Sequence, residues 1–273
     1  MNTSDTTTFR FLRSRRGPWL YSRATGLPNC PAWLICQPGL EESIHARAPI
    51  SAVSTALSSR GLRSFSFDYE GDGHSDGDVS TIGLTEWSED AVDVLQGWSV
   101  DSLDTILGIR LGAAVAIDLA LRLAVRQVVL VDPITDGEAW LMQALRSNVT
   151  TQLTAYRKVV ESRADMFQRV LAGNGTCSLC GYDIGQRFIQ SVVAITPRGV
   201  AGGLSALQRR VRLHVLVSDD ANAQSMEQLK QSVNPPIEVR PIGREDPPVW
   251  SEAASSGSKS SEIKKALLSI AIP

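Results

Sequence analysis

The most chemically suggestive stretch of the chain is Gly108-Ile109-Arg110-Leu111-Gly112. It follows a strand-like stretch, Leu103 to Leu107, and opens directly into an Ala- and Leu-rich stretch, Leu111 to Ala124. Glycines two residues either side of a central position let a strand turn sharply into a helix. They also let the two elements pack closely, so that the central side chain stands at the corner in a strained conformation. A nucleophile such as Ser, Cys or Asp at that corner would attack a carbonyl, but here the corner holds Arg110. A guanidinium is protonated at any working pH, so it cannot be that nucleophile. It can hold a carboxylate, phosphate or sulfate group, with help from backbone donors at the helix start. It can equally form an internal ion pair with Glu41, Glu42, Asp68 or Asp219, because a cation facing a pocket needs a partner in either case.

Other candidate groups surround the corner in sequence. The loop Asp68-Tyr69-Glu70-Gly71-Asp72-Gly73-His74-Ser75-Asp76-Gly77 places a histidine beside a serine. Adjacent residues point apart, so the safer reading of Ser75 is a loop-fixing hydroxyl, with a relocated Ser75 nucleophile or a His74 base as the sharper one. Gln37-Pro38-Gly39 is a loop after a buried strand, and Gly39 and Leu111 are the backbone positions expected to contact a ligand beside Arg110. His45 follows that loop and reads as a helix-start residue, with general base as the alternative. The chain has three histidines, and none follows His214, which lies inside a strand-like run. The later loop holds Arg244-Glu245-Asp246-Pro247 instead.

These residues must be positioned by alternating strands and helices. Phe9 to Leu12 and Trp19 to Arg23, separated by Arg16-Gly17-Pro18, predict a hairpin at a sheet edge. Strands follow at Pro31–Cys36, Leu62–Phe67, Leu103–Leu107, Gln127–Val131, Val211–Val217 and Ile237–Ile242. Helices are expected at Ala48–Leu57, closed by Arg60-Gly61, and from a Thr85 cap through Trp98. In the second of these, Trp87, Ala91, Val94, Leu95 and Trp98 share one face. The alternation argues for a mostly parallel, doubly wound sheet with helices on both faces. Between Gly137 and Pro197 the texture turns helical, at Trp140–Arg146, at Tyr156–Leu171 and from Gly181-Tyr182-Asp183-Ile184 onward, as in an insertion over one end of the sheet. Ser251 to Ser261 reads as a linker before a terminal helix, Ile263–Ile270.

Bulk properties narrow the function classes. The 273 residues carry a net charge of −2, which favours neither nucleic acid nor an anionic membrane surface. The arginines at 10, 13, 15 and 16 read as solvated strand and turn residues. No apolar run approaches the ~18 residues of a membrane span, and Met1 to Arg16 lacks a signal-peptide core, so the expected location is cytoplasmic. Four cysteines, including the lone pair Cys177-Ser178-Leu179-Cys180, make neither a disulfide framework nor a zinc site. No metal or cofactor is expected.

The layout resembles the α/β-hydrolase superfamily. More narrowly, it is similar to exosortase A system-associated hydrolase 2. The likeness rests on Gln37-Pro38-Gly39-Leu40-Glu41-Glu42 with Arg47, the Asp68–Gly77 loop, Gly108–Gly112, and Asp132-Pro133 through Gly137 to Arg146, with weaker echoes at Gly181-Tyr182 and Pro247–Trp250. It implies an α/β-hydrolase core over 1–136 and 201–250, a helical cap over 137–200, and a linker and helix over 251–273. It implies a triad in which Arg110 stands at the Ser position, Asp219 or Asp220 falls where the acid belongs, and the His is missing. Three functions follow as expectations. One is action on an ester- or acyl-type small molecule in polysaccharide or secondary metabolism. Another is a non-catalytic pseudoenzyme that binds a small, anionic ligand or a protein partner. The last is an unusual hydrolase or lyase using His74, His45 or a carboxylate.

Overall fold

A computed structural model of the chain describes residues 6–218, 220–242 and 260–271. The described strands are β1 (Thr7–Arg13), β2 (Trp19–Thr25), β3 (Ala32–Cys36), β4 (Arg63–Phe67), β5 (Thr105–Ile109), β6 (Gln127–Val131), β7 (Cys177–Leu179), β8 (Tyr182–Ile184), β9 (Arg212–Val217) and β10 (Val239–Pro241). Eight of them form one sheet in the order β1-β2-β4-β3-β5-β6-β9-β10. The β1–β2 and β2–β4 pairs are antiparallel, and every other neighbouring pair is parallel. The edge hairpin and the parallel strands thus match the sequence expectation.

The helices are α1 (Leu40–Ser58), α2 (Leu84–Gly97), α3 (Gly112–Arg122), α4 (Gly137–Ala144), α5 (Arg146–Tyr156), α6 (Arg163–Leu171), α7 (Gln186–Val193), α8 (Pro197–Gln208), α9 (Asp220–Lys230) and α10 (Ser260–Ile270). Strand alternation sends Trp33 and Ile35 of β3 to one face of the sheet, where α1 and α10 cover them with Ile50, Val53, Leu57, Ile263 and Leu267. Leu34 and Cys36 face the other way, into the larger core shared with α2, α3 and α8. The central strands are buried on both faces, which explains their unbroken apolar sequences.

Several local expectations are corrected. Helix α1 begins at Leu40, well before Ala48, and runs through Pro49. A proline ordinarily signals a helix's first turn, which hid the earlier start. Thr85 is not the cap of α2; Gly83 is, its N–H donating to Glu86 at 2.9 Å. The stretch Tyr156–Leu171 is not one helix. Arg157 turns left-handed (φ 58) after α5, and Ser162 caps α6. Tyr182–Ile184 does not start a helix but pairs with β7 as a small hairpin between α6 and α7. The linker at 251–259 and the loop at 244–247 lie outside the described residues.

The basic cluster is not simply solvated. Arg16 reaches Glu70 and Glu89 at 2.7 Å each and Asp90 at 2.5 Å, while Arg15 meets Asp93 at 2.6 Å. These pairs bolt the β1–β2 turn to α2 and to the loop after β4. Asp90 and Glu70 are buried, so removing their cation would strand charge in a low dielectric. Arg16→Ala is expected to lower unfolding free energy by about 3 kcal/mol or more, measured by urea denaturation. Arg13→Ala, on the exposed side of the hairpin, should change it by less than about 0.5 kcal/mol.

Candidate functional site

Arg110 sits at the corner between β5 and α3 with φ 55, a left-handed backbone in a residue with a long side chain. Such a conformation costs of order 1 kcal/mol or more and persists only where packing enforces it. The enforcement is visible in the glycines. A Cβ on Gly108 would lie 2.5 Å from Ala116 Cβ, and one on Gly112 would lie 2.2 Å from the Cys36 carbonyl oxygen. The Arg110 N–H donates to the Val131 carbonyl at 3.0 Å, and its own carbonyl accepts from Ala113 at 3.0 Å.

The Arg110 side chain is only 15% exposed and faces Glu42, itself 21% exposed, in the first turn of α1. Arg110 Nε lies 3.1 Å from Glu42 Oε2, and Nη2 lies 3.0 Å from Oε1. Trp140 of α4 adds an indole N–H to the same Oε1 at 3.4 Å. Of the four carboxylates considered from the sequence, Glu42 is thus a partner, in the two-point geometry that guanidinium and carboxylate prefer. Asp219 lies outside the described residues.

A second carboxylate occupies the head of α1. Gly39 (φ 85) and Leu40 (φ 56) turn left-handed in succession, which aims the Leu40 N–H out of the helix. It donates to Asp72 Oδ2 at 3.2 Å. Tyr182 donates its hydroxyl to Asp72 Oδ1 at 2.9 Å, and Ser43 Oγ lies 3.2 Å from that oxygen. Asp72 is buried, and burial, outweighing these hydrogen bonds, pushes its carboxyl up to about 6. Gly39 packs against the Trp87 ring, and Leu111 is buried beneath the corner.

The residues of the loop after β4 are used locally. Ser75 Oγ donates to the Asp68 carbonyl at 2.6 Å and accepts the Tyr21 N–H at 2.9 Å. Its proton is therefore directed at a carbonyl, not at a base. His74 is exposed, with Nδ1 3.2 Å from Asp68 Oδ2 and 3.1 Å from Arg47 Nη1. The structure does not bring His74 and Ser75 together as a nucleophile and base. Among the described residues His45 hydrogen-bonds to neither, and it lies half-buried on α1. Cys36 is buried, which pushes its thiol up and leaves it inert. Cys177 and Cys180 flank the β7–β8 turn without a disulfide between them, Cys180 Sγ lies 3.1 Å from Ser147 Oγ, and partial burial pushes Cys177 up to about 11. Asp132 was missed by sequence reasoning. It ends β6, is fully buried, and accepts the Ser218 N–H at 2.8 Å and the Ser218 hydroxyl. An open cleft of about 660 Å3, lined by Cys30, Arg63, Asp104 and Arg126, lies at the opposite ends of the strands and does not serve the corner.

No protein-family model and no curated protein matches the sequence. Solved structures do. A carboxylesterase from the thaumarchaeon Nitrososphaera gargenis superposes with TM-score 0.63 at 14% identity, covering 96% of this chain and 98% of its own. An esterase from Exiguobacterium antarcticum gives 0.59 at 15%, covering 97% and 99%. An esterase domain from a Rhodothermus marinus protein gives 0.60 at 16%, covering 97% and 98%. The chain has the α/β-hydrolase fold. In that fold the nucleophile stands on the strand-to-helix corner, and the oxyanion is held by the N–H after it together with one from the loop after the third strand. Arg110 stands at that corner, and Leu40, the first residue of α1 after the corresponding loop, gives its N–H to Asp72.

Because Asp72 binds its proton more tightly folded than unfolded, its ionisation opposes folding. Its contribution to stability is therefore expected to fall as pH rises from about 4 to about 6. Asp72→Asn should flatten that fall in urea titrations taken across the same range, and an unchanged slope would contradict the assignment.

Proposed function

We propose that this chain is a non-catalytic binding or partner protein on the α/β-hydrolase scaffold, a pseudoenzyme in the exosortase-associated branch. The supporting observation is that two of the chain's own carboxylates sit where reacting groups would be. Glu42 holds the corner cation, and Asp72 takes the N–H at the head of α1. A serine-type acyl transfer needs a nucleophile at the corner and free donors for the oxyanion. A guanidinium paired with a glutamate supplies neither. Within this reading the residues 137–200 act as a cap closed over the corner by Trp140 and Tyr182. A small ligand with a carboxylate, phosphate or sulfate group enters by exchanging with Glu42 at Arg110, beside Gly39 and Leu111. His74 and Ser75 hold their loop instead of moving protons. Cytoplasmic residence is part of the same proposal. Among the described residues no helix is long and apolar enough to cross a membrane.

A second reading is turnover of an ester- or acyl-type small molecule, and the similarity to esterase structures over nearly the whole chain favours it. It would have to use His74, His45 or a carboxylate. Incubating the purified chain with a fluorophosphonate probe and with nitrophenyl acyl esters separates the two. The proposal predicts no covalent mass increase and no hydrolysis above buffer. An adduct on any serine, or turnover lost in His74→Ala, would replace it with the catalytic reading.

A further inference from the structure

β1 is an edge of the sheet, paired with β2 on one side and with no described strand on the other. It runs for seven residues in continuous register with β2, without proline or bulge. The bonds from Gly26 N–H to the Thr6 carbonyl and from Ser14 N–H to the Pro18 carbonyl fix the phase of the ladder. Alternation then leaves the N–H and C=O groups of Thr7, Phe9, Phe11 and Arg13 pointing away from β2.

The face of this hairpin turned away from α2 is aromatic and uncovered. Register places Phe9 opposite Arg23, Phe11 opposite Tyr21, and Arg13 opposite Trp19. Phe9 is 57% exposed, Phe11 58% and Trp19 46%. Phe9 stacks on Tyr21 at 6.1 Å between centroids, and Phe11 meets it edge-on at 5.7 Å. Tyr21 in turn lies 5.0 Å from the exposed ring of His74. A long, unbulged edge strand with bare aromatic side chains is a feature that folded proteins ordinarily blunt.

Charge says what fits there. Residues 6–25 contain five arginines and no aspartate or glutamate. Arg15 and Arg16 are taken up by the acids of α2 and its neighbouring loop. Arg10 gives a hydrogen bond to the Gly97 carbonyl and lies over Trp98, Arg13 donates to the Gly17 carbonyl, and Arg23 donates to the hydroxyls of Ser51 and Ser54. Among the described residues none of these three has a carboxylate in salt-bridge range. A second copy pairing through β1 would bring another strand with two arginines and no acid against it, which is unfavourable across a ladder.

We propose that β1 receives an extended acidic segment of another protein as an added strand. On the α2 side the segment's carboxylates meet Arg10, and on the other side its apolar residues lie against Phe9 and Phe11 with one further carboxylate at Arg13. This surface is separate from the corner, and the inference stands whether or not the corner turns over a substrate.

The test is amide hydrogen exchange, read by NMR on the full chain with a capped peptide of alternating Glu and Val residues in which the Val set against Arg13 is also Glu, against a counterpart with Lys in place of every Glu. The acidic peptide should protect the amides of Phe9 and Phe11, weaken with salt, and bind at least about tenfold more tightly than the basic one. Phe11→Ser and Arg13→Glu should each weaken it by about tenfold with an unchanged melting temperature. If a variant fails to fold, the discrimination between the two peptides by the unaltered chain decides. Absence of protection at β1, or equal protection by the basic peptide, would overturn the proposal. So would protection in the chain alone that grows with its concentration, which would make a second copy the occupant.

Discussion

A permanent cation at a strained, largely buried corner is the constraint around which the candidate site is arranged. Arg110 cannot lose its proton, so its burial is tolerable only beside a carboxylate held in good geometry. Glu42 meets that need from the first turn of α1, and the first turn is where it is because the chain turns left-handed at Gly39 and Leu40. A negative side chain there is also favoured by the exposed N–H groups of the helix start. The same pair draws in Trp140 of α4, whose indole N–H adds another hydrogen bond to Glu42.

The Asp72 cluster repeats this logic a short way along α1. A buried carboxylate gathers the Leu40 N–H and the Tyr182 hydroxyl, with the Ser43 hydroxyl alongside. Tyr182 comes from the β7–β8 hairpin and Trp140 from α4, and they reach carboxylates of the loop after β4 and of α1. Both contacts are hydrogen bonds donated to carboxyl oxygens, and Asp72 carries the penalty of burial. Residues of α4, the β7–β8 hairpin and α7 are therefore tied to α1, α2 and the loop after β4 by polar contacts as well as by the apolar packing of α7 on α2.

Much of the frame was legible because periodicity and glycine spacing report local structure directly. The apolar runs of β3, β5 and β6 could only be buried strands once they alternated with helices. The corner itself was readable from Gly108 and Gly112, whose missing side chains the packing requires. What escaped was tertiary. Glu42 could not be chosen over Glu41 or Asp68 without knowing the direction of α1. Arg15 and Arg16 meet acids more than fifty positions away, which no window of sequence displays. Tyr182–Ile184 is too short for a period to distinguish helix from strand, and only its pairing with β7 settles it. Asp132 looked like a strand end, and its role in holding Ser218 depends on the register of β6 and β9.

The most direct measurement is a double-mutant cycle on Arg110→Ala and Glu42→Ala by urea denaturation. A guanidinium held by Glu42 predicts that each single change destabilises the chain. The double change should then cost less than their sum by about 1 kcal/mol or more. Effects that add within about 0.3 kcal/mol would show that Glu42 does not hold the corner cation, and the account of a self-occupied site would fail.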